Sequence, residues 1–351
     1  MTILYVLLLI VGLILLIKGA DLFVDTSSKI ARIFKISELL IGMTLVCFGT
    51  SLPELILSIT SSLRGNAELV IGNMVGTNIF NMCAILGLIS IMTPIMLVKE
   101  TVRKDMYMSL VTGIVFLCVV LDTFLNVPGV TVNVISRADG IILLVFFGIF
   151  LYYTFYNFGG ITEKRRKRRE EKEALKLDKT KGKRHKEPKM SQEDTHNLLV
   201  NILLAVLGCL MVYVGSEFVI KGVNYLGDVW NLSDTFMAIM IIAVGTSLPE
   251  IATSIAAIRK GSINIAIGNL IGSNMFNMLC VTGISAVINP LKVASTAIWI
   301  DCLVFILITL VIVTNAKLKF LNKGRYELSR TEGIVLLGIY ITYVVYVVFR
   351  G

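Results

Sequence analysis

Apolar runs close to the length that crosses a bilayer follow one another along almost the whole chain, separated by short polar breaks. They predict helices over 3–27, 38–62, 69–93, 106–124 and 138–158, then over 197–224, 234–258, 264–288, 296–315 and 331–349. Five runs thus lie on either side of one long polar stretch, 159–196. Composition agrees with a membrane solvent. Of 351 residues, 56% are hydrophobic and 16% charged, against roughly 25% charged in a soluble domain. The mean hydropathy is +0.82. The first run, "ILYVLLLIVGLILLIKGADLFV", has neither a basic leader nor a small-residue cleavage site, so it reads as a helix of the mature protein.

The pattern also repeats. At an offset of 196 residues Gly19 falls on Gly215, Asp21 on Glu217 and Ser37 on Ser233. Between 49–87 and 245–283, 18 of 39 positions are identical without a gap. Further on the offset drifts to 193, where "RADGIILL" at 137–144 matches "RTEGIVLL" at 330–337. Residues 1–158 and 197–351 therefore read as two repeats of five helices, joined by the linker 159–196. Five is odd, so the second repeat must enter the membrane in the opposite sense. The fold expected is an all-α membrane protein of ten transmembrane helices in two inverted five-helix repeats, a plan that puts substrate at the repeat interface near the midplane.

Charge sets the orientation. The net charge of +9 is concentrated in 159–195, with 14 Lys/Arg against 8 Asp/Glu. With that loop in the cytoplasm, the other inner connections carry 13 basic residues and the outer ones five. Positive-inside bias explains this distribution better than nucleic-acid binding does. Both termini are then outside the cell membrane. The six cysteines show no CxxC spacing and suit small buried hydrophobes. His185 and His196 lie in or beside the linker, leaving no histidine for chemistry within the membrane.

Two stretches resist this apolar reading: "GTSLPELILSITSSLRGNAELVIGNMVGTNIFN" at 49–81 and "GTSLPEIATSIAAIRKGSINIAIGNLIGSNMFN" at 245–277. A glutamate at the centre of a membrane helix costs at least ~2.5–3.5 kcal/mol on insertion scales. Thr50 and Ser51 precede Glu54 by four and three residues, on one helical face, and Thr246, Ser247 and Glu250 repeat the spacing. Pro53 and Pro249 lack an amide hydrogen, which frees the carbonyls of Gly49 and Gly245. In a bilayer such carbonyls persist only where protein, water or an ion satisfies them. The expectation is carboxylate, hydroxyl and carbonyl oxygens gathered at each kink, a set suited to a hard cation such as Ca²⁺ or Na⁺.

In the following helices Thr77 and Asn81, and Ser273 and Asn277, are four apart on one face, which Asn73 and Asn269 extend. Asn78 and Asn274 point off that stripe and are available for bonds between helices. Gly72 with Gly76, and Gly268 with Gly272, are spaced for close helix packing. A single intramembrane hydroxyl usually bonds to its own helix, and a single proline usually only kinks one. The whole set at identical spacing in two repeats calls for a shared function. Elsewhere, Lys18 is spaced to pair with Asp21, and Asp139, Asp301 and Glu332 fall near helix starts, where the dipole favours acids.

"GTSLPE" twice, each followed by "GN..G[TS]N.FN", closely resembles the two α-repeats of sodium/calcium exchangers of the cation/Ca²⁺ antiporter superfamily, here at 38–93 and 234–288. The resemblance covers nearly the whole chain and is to the prokaryotic type, without a large regulatory domain. It implies metal-binding roles for Glu54 and Glu250 at the centre, for Thr50, Ser51, Thr77 and Asn81 from the first repeat, and for Thr246, Ser247, Ser273 and Asn277 from the second. Cys47 and Ala243 match positions that offer main-chain carbonyls. Asn277 stands where potassium-dependent relatives have Asp, which argues against K⁺ cotransport. "TSLPE" also departs from the motif of proton/calcium exchangers.

The function expected is a secondary antiporter that exchanges Na⁺ for Ca²⁺ by alternating access, with the ions competing for one site. A Ca²⁺/H⁺ exchanger and a cation channel are the alternatives. No HExxH or GxSxG motif points to an enzyme. Ca²⁺ and Na⁺ as substrates and the lipid bilayer are the partners expected; no cofactor is.

Overall fold

In a solvent without hydrogen-bonding capacity the backbone must satisfy itself, and this chain does so with helices. The structure, a computed structural model, describes residues 2–34, 36–96, 105–121, 133–158, 198–229, 245–293, 297–323 and 327–350. The first half comprises α1 (Thr2–Phe34), α2 (Glu38–Thr50), α3 (Leu52–Leu63), α4 (Ala67–Met92), α5 (Met106–Val120) and α6 (Arg137–Phe158). The second comprises α7 (Leu198–Val229), α8 (Leu248–Arg259), α9 (Ile263–Ile288), α10 (Ala297–Lys323) and α11 (Arg330–Arg350).

Among the described residues, α1, α4, α6, α7, α9, α10 and α11 are long and apolar enough to cross a membrane. The bent pair α2–α3 makes an eighth span. α5 has 15 residues and α8 has 12. They adjoin 122–132 and 230–244, which lie outside the described residues, as does the linker 159–196.

The predicted kink is present: α2 and α3 meet at 48°. At Ser51 the backbone leaves the helix (φ −88°, ψ 11°), and Ser247 before α8 has nearly the same geometry (φ −88°, ψ 4°). Pro53 and Pro249 each fall in the first turn of the new helix, where a missing amide hydrogen costs nothing. Gly65 and Gly261 both adopt φ 75° in the tight turns after α3 and α8. These left-handed positions explain why glycine recurs at the 196-residue offset.

The two halves interlock. α1 and α7 pack far more extensively on each other than on any other element. They run antiparallel, with Tyr5 stacked on Tyr225 and Gly12 and Gly19 against Gly215 and Gly208. α4 packs on α11 where Gly87 meets Gly333, and α9 packs on α6 where Gly283 meets Gly140. In both crossings an added Cβ would lie within 3.0 Å of the opposing carbonyl oxygen. The matched segments around 137–144 and 330–337 thus serve as reciprocal contacts between halves.

The acids at helix starts act as caps. Ser136 donates its amide (2.8 Å) and hydroxyl (2.7 Å) to Asp139, and Ser329 does the same for Glu332, which also pairs with Lys319. The Lys18–Asp21 ion pair does not form. Asp21 instead lines a cavity between α1 and α8 that Arg259 also lines.

Two short sheets close opposite ends of the bundle. β1 (Ile95–Met96) pairs antiparallel with β4 (Glu327–Leu328), and β2 (Asn133–Ile135) with β3 (Leu291–Val293). Each joins connections that the topology reading assigns to the same side.

The glycine pairs of the central helices differ. Gly268 and Gly272 are pressed against α2, where an added Cβ would meet Leu39 O at 2.5 Å and the Met43 Cα at 2.8 Å. At Gly72 and Gly76 nothing among the described residues comes within 4 Å.

Candidate functional site

The break at Ser51 decides which side chains meet. On an unbroken helix Thr50 and Ser51 would line the face of Glu54. The bend sends them to the other half instead, which corrects the sequence expectation. The Ser51 hydroxyl donates to Glu250 Oε1 at 3.1 Å and lies 3.0 Å from the Ser273 hydroxyl, itself 3.5 Å from the same carboxylate oxygen. Thr50 donates to Asn269 Oδ1 at 3.0 Å, and the Asn269 amide donates to Thr253 at 3.2 Å. In the mirror arrangement Thr246 approaches Asn73 Oδ1 at 3.5 Å and faces the Glu54 carboxylate. The two glutamates lie within electrostatic reach of each other.

Ser51, Glu54, Thr77, Asn81, Ser247, Glu250, Ser273 and Asn277 are all wholly buried (0% exposed). Two carboxylates are thus removed from water together. No Lys or Arg among the described residues forms an ion pair with either, and no third acid, thiol or imidazole joins them. Burying such charges uncompensated is expensive.

Among the described residues, and apart from the Thr246 hydroxyl that faces Glu54, no donor reaches Glu54 Oε1 and Oε2, Glu250 Oε2, Asn81 Oδ1 or Asn277 Oδ1, and the Thr77 hydroxyl has no partner either. The asparagines show how their oxygens come to be free. Asn81 Nδ2 donates to Asn274 Oδ1 (3.0 Å), Asn277 Nδ2 to Asn78 Oδ1 (3.3 Å), and Asn78 Nδ2 to the Asn274 carbonyl (3.1 Å). This lattice between the halves uses the amide hydrogens of Asn81 and Asn277 and leaves their carbonyl oxygens as acceptors.

Not every expected ligand converges. The Gly49 carbonyl, freed by Pro53, accepts from the Cys209 thiol of α7 at 3.4 Å. It faces the α7 side, so the expectation that this carbonyl joins Glu54 is corrected: the bend turns it outward. The Cys47 carbonyl is engaged by the Ser51 amide (3.0 Å) and the Thr50 hydroxyl (3.3 Å), while its thiol donates to Met43 O. Ala243 lies outside the described residues.

Two features escaped the sequence reading. π-helical turns at Gly42–Val46, Asn81–Ile85 and Phe276–Val281 interrupt the helices at the site. Such turns recur at functional sites, but no residue type marks them in advance. The buried hydroxyls of Ser58 and Ser254, four residues beyond Glu54 and Glu250, also lack partners. Their identity at the repeat offset was the available signal.

This buried, oxygen-rich and acid-paired arrangement can now be set beside known proteins. The family model described as sodium/calcium exchanger protein matches residues 4–156 and 200–349. The chain belongs to the sodium/calcium exchanger protein family. It is 29% identical to the sodium/calcium exchanger MaX1 of Methanosarcina acetivorans over 97% of both chains. It is 31% identical to the putative antiporter CaxA of Alkalimonas amylolytica over 95% of both. A solved structure of the sodium-calcium exchanger NCX_Mj, soaked with Na⁺ and Sr²⁺, matches it with a TM-score of 0.76 at 28% identity, covering 98% of this chain and 99% of that one. As a member of this family the protein is a multi-pass membrane antiporter for cations including Ca²⁺, and its transported ions are substrates rather than resident cofactors.

Proposed function

We propose that the protein exchanges Na⁺ for Ca²⁺ across the cell membrane by alternating access, with both ions competing for one site between Glu54 and Glu250. The observation that carries this is the pair of fully buried carboxylates that have no cationic side-chain partner among the described residues and are ringed by oxygens without a donor there. One Ca²⁺ neutralises two carboxylates. Several Na⁺ ions can use the same acceptors, which come from Glu54, Glu250, Thr50, Ser51, Thr77, Asn81, Thr246, Ser247, Ser273 and Asn277. Hydroxyl and amide oxygens suit both hard cations. Without an ion the carboxylates remain uncompensated in low dielectric, so the empty carrier crosses slowly and exchange dominates over leak.

Ten transmembrane helices in two inverted repeats accommodate the site. The antiparallel α1 and α7, equivalent in sequence, support that plan, as does the crosswise supply of hydroxyls. Both termini then lie outside and the 159–196 loop inside. α1 and α7, which pack chiefly on each other, are the elements able to move past the site-bearing helices.

The test is ⁴⁵Ca²⁺ uptake into proteoliposomes with Na⁺, K⁺ or H⁺ gradients imposed in turn. Uptake is expected only against outward Na⁺. Uptake on a pH gradient in Na⁺-free medium would establish proton coupling instead, and flux without any counter-ion would establish a channel.

A further inference from the structure

One end of α1 is tied to the α8–α9 turn, and among the described residues no equivalent ion pair ties α7 to the α3–α4 turn. Asp25 of α1 forms an ion pair with Lys260 at 2.6 Å, with side chains 52% and 27% exposed. Beside it the Ser28 and Ser262 hydroxyls lie 3.3 Å apart, and Ser262 donates to Glu38 Oε1 at 3.2 Å. α1, the α8–α9 turn and the start of α2 are thereby linked in one polar cluster. α1 also packs along α8, whereas α7 makes at most marginal contact with α3, the equivalent element of the first half.

Sequence explains why the link has no twin. At the 196-residue offset Asp25 corresponds to Lys221, and Lys260 to Arg64. Both counterparts are cations, and both are exposed. An attractive pair at one end thus corresponds to two cations at the other, within halves that otherwise repeat closely.

We infer that Asp25–Lys260, with Ser28, Ser262 and Glu38, is a latch that holds the exchanger closed at this end, and that Lys221 opposed to Arg64 disfavours closure at the opposite end. The inference rests on the alternating-access reading above. The latch adds a built-in preference for one of the two access states. An ion pair this exposed shifts an equilibrium about two- to fivefold, enough to bias a carrier without locking it.

Hydrogen exchange measured by mass spectrometry on the full chain in lipid tests the inference. Asp25→Lys and Lys260→Asp should each raise exchange about two- to fivefold in peptides spanning 24–34 and 258–265. The double exchange Asp25→Lys/Lys260→Asp should restore it. Arg64→Asp, which opposes an acid to Lys221, should also raise exchange in these peptides by favouring closure at the other end. Single variants that exchange like the parent, or a double variant that stays as exposed as the singles, overturn the latch. An inert Arg64→Asp overturns the proposed bias between ends. The readout needs no transported ion, so failure of the latch and failure of Na⁺/Ca²⁺ exchange are separate results.

Discussion

Glu54 and Glu250 sit in identical hexapeptides, yet their surroundings differ. Glu250 Oε1 is met by the hydroxyls of Ser51 and Ser273. The corresponding positions for Glu54 are Ser247 and Thr77; there the Thr246 hydroxyl faces the carboxylate, and among the described residues the Thr77 hydroxyl has no partner. The lesson is that a duplicated sequence need not produce a symmetric site. Glu250 draws the Ser51 hydroxyl from the other half, so its environment depends on how the halves are placed. A small relative shift changes one carboxylate's partners without changing a residue. Glu250 is the pre-ordered side, and Glu54 is the side with fewer fixed partners.

The largest effect should come from removing either charge. Glu54→Gln and Glu250→Gln are each expected to reduce Na⁺-driven ⁴⁵Ca²⁺ flux at least ~100-fold, because divalent affinity follows the number of charged ligands. If only one substitution abolished flux, the site would not be shared between the halves. Next come the lattice asparagines. Asn81→Ala and Asn277→Ala each remove a free carbonyl oxygen and a bond between the halves, and should lower apparent Ca²⁺ affinity roughly 10- to 100-fold.

Serine substitutions sharpen the comparison directly. Ser51→Ala removes a donor to Glu250 and should weaken Ca²⁺ about tenfold, measured as a shift in the half-saturating concentration. A larger effect of Ser273→Ala than of Thr77→Ala marks the asymmetry, and equal effects would dissolve it. Packing gives a separate prediction: Gly272→Ala places a Cβ 2.8 Å from Met43 Cα and should destabilise by about 1–3 kcal/mol, read as a loss of thermal stability in detergent. The smallest effect is expected from Cys209→Ala, which loses only a weak thiol bond to Gly49 O, with flux within about twofold of the parent.

The residues that the structure gathers around the two glutamates were legible in the chain, and their partners were not. Each intramembrane glutamate, flanked by hydroxyls and followed by the Asn stripe, stood out because burying it is costly. The repeat made two such anomalies into one candidate. Local helical geometry nevertheless assigned Thr50 and Ser51 to Glu54, and it aimed the Gly49 carbonyl into the site. Both errors come from extending a regular helix through a point where it breaks. A 48° bend redirects the hydroxyls across the interface and turns the carbonyl toward α7. The π-turns were equally hidden, since they are set by packing between helices.

By itself the sequence determined the apolar spans and marked the repeated acid-bearing stretches, because bilayer length, repeat spacing and the cost of buried charge act on residues one by one. The tertiary structure alone decided which hydroxyl serves which carboxylate, which amide oxygens remain open and which end of α1 is tied down. Those are relations between segments far apart in the chain, and they exist only once the halves have packed.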